Sequence, residues 1–290
     1  MFGRIHTMKK FLSLALALTL CASLAACSNG ASSSGSGSGS ENTSGSGSDS
    51  SSQTQTSDMQ YVKDKGTLVV GITEFEPMDY QDENGNWIGF DADMAAAFAE
   101  YLGVDVEFQP IDWDSKVMEL DGKTIDVVWN GMTLTDDVKA AMECSNPYFD
   151  NAQVVIVPAD KAAEYQTVES VQDLAFSVEV GSAAKEQADK YGFNYTEAAD
   201  QATALLEVSS GTADAAIIDY LMSVAMTGEG TSYADLTSTV SLNTEQYGVG
   251  FRKGSDLAAE LNKFFSEKYA DGTMKQIADK YGIADKLVEQ

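Results

Sequence analysis

The sequence predicts an α/β fold built from mostly parallel sheets flanked by helices. Two observations lead there. Short runs rich in Val, Ile and Ala, at Thr67–Thr73, Ile125–Trp129, Ala175–Val180 and Ala215–Ile218, read as strands. Between them lie stretches of helical period that stop at glycine, as at Gly103 and Gly192. Parallel pairs need a crossover of this kind, and helices supply it.

The elements follow in order. After the Lys65-Gly66 turn, Thr67–Thr73 is the first strand. Asn84-Gly85 signals a hairpin, with Trp87–Phe90 on its far side. Asp91 reads as a helix cap, and Met94, Phe98, Tyr101 and Leu102 share one face of that helix. Val104–Ile111 alternates apolar and polar residues as a strand does, and Ser115–Leu120 reads as a short helix. Ile125–Trp129 is a buried strand that runs into Asn130-Gly131-Met132-Thr133. Val154–Val157, Ala175–Val180, Ala215–Ile218 and Gly248–Phe251 are further strands. Ala183–Lys190, Ala202–Val208, Asp256–Tyr269 and Thr273–Tyr281 are helices. Ligands of α/β sheets bind off the carboxyl ends of strands. That rule selects Thr73–Phe75, Asn130–Thr133, Gly181–Ala183 and Asp219. Asp214 precedes its strand and reads as structural.

Residues 1–26 read as a secretory signal peptide. Arg4, Lys9 and Lys10 make a basic start, Phe11–Leu20 is an apolar run, and small residues follow. Leu24-Ala25-Ala26-Cys27 resembles the bacterial lipobox. That likeness implies a lipid on Cys27, holding the protein at the outer face of the cytoplasmic membrane. Residues 27–58 are mostly Ser, Gly, Thr, Gln and Asn and read as a flexible linker. At about 5–6 Å × √n, such a linker spans roughly 30 Å.

Composition excludes several classes of function. Among the 290 residues, 45 Asp and Glu outweigh 18 Lys and Arg, for a net charge of −27. Such a surface repels phosphate backbones, so no nucleic-acid partner is expected. The three cysteines are Cys21 in the signal, Cys27 and Cys144, which leaves no internal disulfide and casts Cys144 as a small buried hydrophobe. The one histidine, His6, is in the signal, so neither a His-based triad nor a His metal site is expected. There is no P-loop and no dinucleotide fingerprint, and no cofactor is expected.

Seven short stretches then carry a family likeness. They are Gly89-Phe90-Asp91, Asp126-Val-Val-Trp-Asn-Gly131, Thr133-Leu-Thr135, Ser145-Asn-Pro-Tyr148, Val180-Gly-Ser182, Gly211-Thr-Ala-Asp-Ala215 up to Asp219, and Tyr247-Gly248. In this order the chain resembles the polar-amino-acid type of bacterial extracellular solute-binding proteins, family 3. The resemblance implies the two-lobed type II periplasmic-binding fold, with two crossover hinge strands. Residues 59–150 plus 248–290 would form lobe one, and 151–247 lobe two. It implies that a small-molecule ligand, an amino acid or a related amine or peptide, is held between the lobes and delivered to ABC permease subunits. A cleft that opens and closes favours a monomer.

The resemblance also assigns roles. Asp219 would receive the ligand ammonium. Phe75 and Trp113 would sandwich the ligand side chain. Gly131 and Thr133 would donate to the ligand carboxylate, and Gly181 and Ser182 would add a second donor loop at a helix N-terminus. Glu74 would stand at the rim. One position departs from the family pattern: Val138 stands where an Arg usually clamps the carboxylate. Such a charge-assisted pair is worth about 1.5–3 kcal/mol. Asn130, Lys139 and backbone donors are the replacements the sequence offers. The same fold also carries cyclohexadienyl-dehydratase-like enzymes and sensory lipoproteins, which are the alternative functions.

Overall fold

The computed structural model describes residues 57–290. The signal, Cys27 and nearly all of the linker lie outside the described residues. The first helix, α1 (Asp58–Lys65), already contains Asp58, the residue at which the linker was expected to end. The Ser57 hydroxyl accepts from the Gln60 N–H and caps it. The chain continues through β1 (Thr67–Ile72), the hairpin strands β2 (Tyr80–Gln81) and β3 (Trp87–Ile88), α2 (Phe90–Leu102) and β4 (Asp105–Pro110). A 3₁₀ turn at Trp113–Ser115 leads into α3 (Lys116–Asp121), followed by β5 (Val127–Thr133) and α4 (Asp136–Ala141). Two short strands, β6 (Glu143–Cys144) and β7 (Phe149–Asn151), complete this part.

A second run holds β8 (Gln153–Pro158), β9 (Ala175–Glu179), α5 (Ala183–Tyr191), β10 (Asn194–Ala198), α6 (Gln201–Ser210), β11 (Ala215–Asp219), α7 (Tyr220–Met226) and β12 (Leu236–Ser241). The chain then returns through β13 (Glu245–Phe251), α8 (Leu257–Ala270) and α9 (Thr273–Lys280). One sheet has the order β4-β1-β5-β13-β6, with β7 also on β13; the other has the order β10-β9-β11-β8-β12. The chain therefore crosses between sheets twice, from β7 to β8 and from β12 to β13.

Both sheets are mixed, which corrects the expectation of mostly parallel ones. Strand β1 runs parallel to β4 and β5, and β9 runs parallel to β10 and β11. Strand β13 is antiparallel to β5, β6 and β7, and β8 is antiparallel to β11 and β12. The cause is local. These two strands follow a crossing directly, with no helix between, so nothing imposes the parallel direction.

Helix α2 starts differently from the expectation that Asp91 caps it. Gly89 is the cap, at φ +128°, and a Cβ there would lie 2.1 Å from the Met78 carbonyl oxygen. Asp91 turns inward and is fully buried. Beneath α2 and α8 an aromatic core forms, with Trp129 6.2 Å from Phe98 and 5.7 Å from Phe265 between ring centres. Asp126, at the start of β5, is also fully buried and is paired to Lys65 and Arg252. Arg252 spends its other donors on Asp58 and on the carbonyls of Leu120 and Ile125, so the buried charges are matched. Cys144 is only half-buried and packs at the edge of a small cluster around Met132 and Met142, so it is less enclosed than the sequence suggested.

Candidate functional site

The carboxyl ends of β1 and β5 face those of β9 and β11 across a narrow cleft. Nine of the ten residues chosen from sequence line it: Phe75, Trp113, Asn130, Gly131, Thr133, Val138, Gly181, Ser182 and Asp219. Glu74 does not. It is exposed and accepts from the Gln81 N–H on the β2–β3 side. The cleft is nearly shut, with about 30 Å³ of space for water centres. At ~10–15 Å³ per water, that holds about two waters. An amino-acid-sized ligand enters only if the walls part.

Asp219 ends β11 and is 5% exposed. Asn151, Gln153 and Tyr247 donate to its Oδ1 at 2.6, 3.0 and 2.8 Å, and Gln201 donates to its Oδ2 at 2.6 Å. Two of these donors precede or open β8 and one lies in β13, so the carboxylate is tied to both chain crossings. Asn151 and Gln153 also donate to Glu245 Oε1, at 2.7 and 2.8 Å. Burial, and then the charge of Glu245, push the Asp219 carboxyl up to about 8. A cation brought into the cleft would favour its ionised form.

The floor of the cleft is Asn130-Gly131, and here three groups expected to serve a ligand are engaged within the protein. The Gly131 N–H, expected to serve a ligand, donates instead to Asp91 Oδ2 at 2.6 Å. Gly131 has φ +52°, which turns the peptide away, and a Cβ would meet Phe75 Cε1 at 2.4 Å. Its glycine identity admits the Phe75 ring. Asn130 is likewise used up. Its Oδ1 accepts from the Thr73 N–H and hydroxyl, and its Nδ2 donates to the Thr73 carbonyl and to Asp79 Oδ2. The Thr133 hydroxyl donates to Glu245 Oε1 at 2.9 Å. Behind the floor, burial pushes Asp91 up to about 7 and raises Asp79, which also feels Asp91.

On the opposite wall, Ser182 caps α5. Its hydroxyl donates to the Glu179 carbonyl and accepts from the Lys185 N–H. So this hydroxyl, too, is bound within the protein rather than offered to the cleft. Gly181 has φ +67°, and a Cβ would come within 2.7 Å of Asp114 Oδ1, so glycine lets the two walls approach. Val138 borders the cleft with an apolar side chain. Lys139, one residue on, is exposed and lines a larger outer opening instead.

Five cleft residues were not chosen from the sequence: Lys116, Thr135, Glu179, Glu186 and Gln201. Lys116 is buried, and its Nζ donates to the carbonyls of Trp113 (3.1 Å) and Gly181 (3.0 Å) and sits 4.7 Å from the Trp113 ring centre. It thus supplies a cation where Val138 has none, although burial lowers its pKa. Glu179 is 3% exposed, and burial followed by the charges of Asp219 and Asp200 pushes it up to about 8. Its Oε1 has no hydrogen-bond partner among the described residues. Gln201, at the start of α6, donates to Asp219 and accepts the Asp219 N–H. Asp214 has the structural role expected of it, accepting from the Ala175 N–H. Among the described residues, no cluster of His, Cys, Asp and Glu is placed to hold a metal, and no helix is long and apolar enough to cross a membrane.

Known proteins with this architecture share its plan. The L-cystine-binding protein TcyJ of Escherichia coli strain K12 is 28% identical over 228 residues, which are 77% of this chain and 85% of TcyJ. The structure of an ABC uptake transporter substrate binding protein from Streptococcus pneumoniae with bound histidine superposes with a TM-score of 0.73. It is 27% identical, and the match covers 81% of this chain and all of that one. Cyclohexadienyl dehydratase of Pseudomonas aeruginosa is 27% identical, but over 116 residues, 40% of this chain and 43% of the enzyme. The family model for bacterial extracellular solute-binding proteins, family 3, matches residues 68–284. With two mixed sheets, two chain crossings and a cleft between the strand ends, this chain belongs to the bacterial extracellular solute-binding proteins of family 3.

Proposed function

We propose that the cleft captures a small ligand bearing an ammonium group, an amino acid or a related amine or small peptide, and delivers it unchanged to the permease subunits of an ABC importer. The observation that carries this reading is Asp219, a buried carboxyl at a strand end, held by four donors and opening on the cleft. A buried carboxylate of this kind calls for a cation. Phe75 and Trp113 flank the ligand side chain, and Lys116 takes the part of the missing arginine. Residues 59–150 with 248–290, and residues 151–247, move as two lobes about the crossings. Relatives that bind cystine and histidine support the ligand class.

The test is a thermal-shift panel of the twenty amino acids, their amides, polyamines and short peptides. At about 100 times Kd a ligand stabilises by about 2.7 kcal/mol, a shift of a few degrees. A panel with no shift overturns the reading.

We further propose that a lipid on Cys27 anchors the protein, based on the Leu24-Ala25-Ala26-Cys27 sequence. Cys27→Ser should move the protein from the membrane fraction into the medium. Retention of that variant in the membrane fraction overturns the anchor.

A further inference from the structure

We propose that the ligand of this cleft carries two positively charged groups, and that Glu179 is the residue that selects the second. The proposal rests on the reading of the cleft as a ligand site and narrows its ligand class. Glu179 stands at the end of β9, the strand beside β11 and Asp219, and lines the same cleft. It is buried, and its Oε1 meets no hydrogen-bond donor among the described residues. A buried carboxyl in that state either keeps its proton or waits for a cation.

No neighbouring side chain supplies that cation. The groups that face Glu179 are Asp219 from β11, Asp200 and Gln201 from the start of α6, and Lys116 from α3. Lys116 forms no ion pair with it within 4 Å, and its ammonium is bound to the Trp113 and Gly181 carbonyls. A zwitterion with one ammonium and one carboxylate would match Asp219 and Lys116 and leave Glu179 unmatched. A second cationic group matches it. The surroundings point the same way. Glu186 adds an exposed carboxyl to the cleft lining. The adjoining outer opening carries Asp136, Asp137, Asp150, Glu186 and Glu245 against the single Lys139. The anion side of the cleft is thin by comparison, with Val138 apolar and the Gly131 N–H and the Thr133 and Ser182 hydroxyls already engaged. The chemistry that fits is two cationic nitrogens on one small molecule, whether a dibasic amino acid or a diamine.

Titration calorimetry on the full chain with three probes decides the matter: arginine, its neutral isostere citrulline, and agmatine, which lacks the carboxylate. The expected result is that arginine or agmatine binds at least tenfold tighter than citrulline. Glu179→Gln should then erase most of that preference, weakening the dication at least tenfold and leaving citrulline within about twofold. Between phosphate and Tris buffers near pH 7 the measured enthalpies should differ more for the dication than for citrulline, because the second cation displaces a proton from Glu179 in addition to the one any ammonium displaces from Asp219. Either order of arginine and agmatine supports the two-cation rule; the order reveals whether Lys116 reads a carboxylate. If citrulline or glutamine binds as tightly as the dications, the proposal is overturned while the binding function stands. Equal weakening of all probes by Glu179→Gln also overturns it, since Glu179 would then only support Asp219. Absence of binding by every probe and every member of the panel overturns both. The arginine–citrulline comparison needs no variant, so a poorly folding Glu179→Gln leaves the test intact.

Discussion

Asp219→Ala abolishes ligand-induced stabilisation and leaves a folded chain. The ligand loses its partner for a desolvated ammonium, and truncating one side of a buried charge pair costs about 3–5 kcal/mol. That corresponds to a loss of more than a hundredfold in affinity, at about 1.4 kcal/mol per tenfold. The fold survives because two of the four donors around Asp219 keep another acceptor and Gln201 keeps its bond to the backbone. Asn151 and Gln153 retain Glu245, and Gln201 still accepts the backbone N–H of residue 219. The pH dependence gives a second signature. An acid whose folded-state pKa is raised holds its proton longer in the folded state than in the unfolded one. Stability is then greatest below the unfolded value, near 4, and falls as pH rises towards the folded value. For Asp219 that window runs from about 4 to about 8. The ligand-free protein should therefore melt at lower temperature at pH 8 than at pH 5, and Asp219→Ala should make that slope shallower. Thermal shifts with and without ligand at both pH values measure the two effects together. Full ligand stabilisation in the variant would remove Asp219 from the ammonium site.

Gly89→Ala should be the most damaging glycine-to-alanine change among the described residues. A Cβ at this position would lie 2.1 Å from the Met78 carbonyl oxygen and 2.9 Å from the Asp79 N, both backbone atoms that cannot swing aside. The residue also sits at φ +128°, a region that is forbidding for an L side chain. Relief requires moving the Phe75–Asp79 turn, which carries Phe75 into the cleft and Asp79 against Asn130. The expected cost is at least ~3 kcal/mol, or about 6–12 degrees in a folded part of this size, with weakened ligand binding in whatever remains folded. Gly228→Ala is the control. It too has positive φ, but nothing lies within 4 Å of its added Cβ, so it should cost markedly less. Similar melting of the two variants would show that the approach of Met78 is not limiting.

Position along the chain was easier to read than orientation. Strand ends located Phe75, Asn130, Gly181 and Asp219, because ligands meet α/β sheets there and glycine or a carboxylate at such ends is conspicuous. What the sequence could not say is which way an N–H or hydroxyl points. Gly131 and Ser182 were expected to face the ligand, yet one serves Asp91 and the other its own helix. Their partners are distant in sequence or hidden in a cap. Glu179 was overlooked because it ends an apolar run, Phe176 to Val180, that reads as core; one carboxylate inside such a run was the available signal. Lys116 follows Trp113 by three residues, one helical turn, and that spacing next to a cleft aromatic was the clue to it. The strands at β8 and β13 were legible but their antiparallel direction was not, since it depends on where the chain changes sheets.

The acidic outer opening also sets the tempo of capture. Carboxylates around a concave mouth draw cations in before any contact is made, and this pull acts on the rate of encounter. With a Debye length of about 8 Å at physiological salt, the field reaches little beyond the mouth itself. On the proposed reading, escape is governed by different parts: the walls would separate and the contacts at Asp219 would break. If the ligand is the dication proposed above, ionic strength throttles arrival far more than departure, and such a protein gathers scarce cations fastest in dilute surroundings.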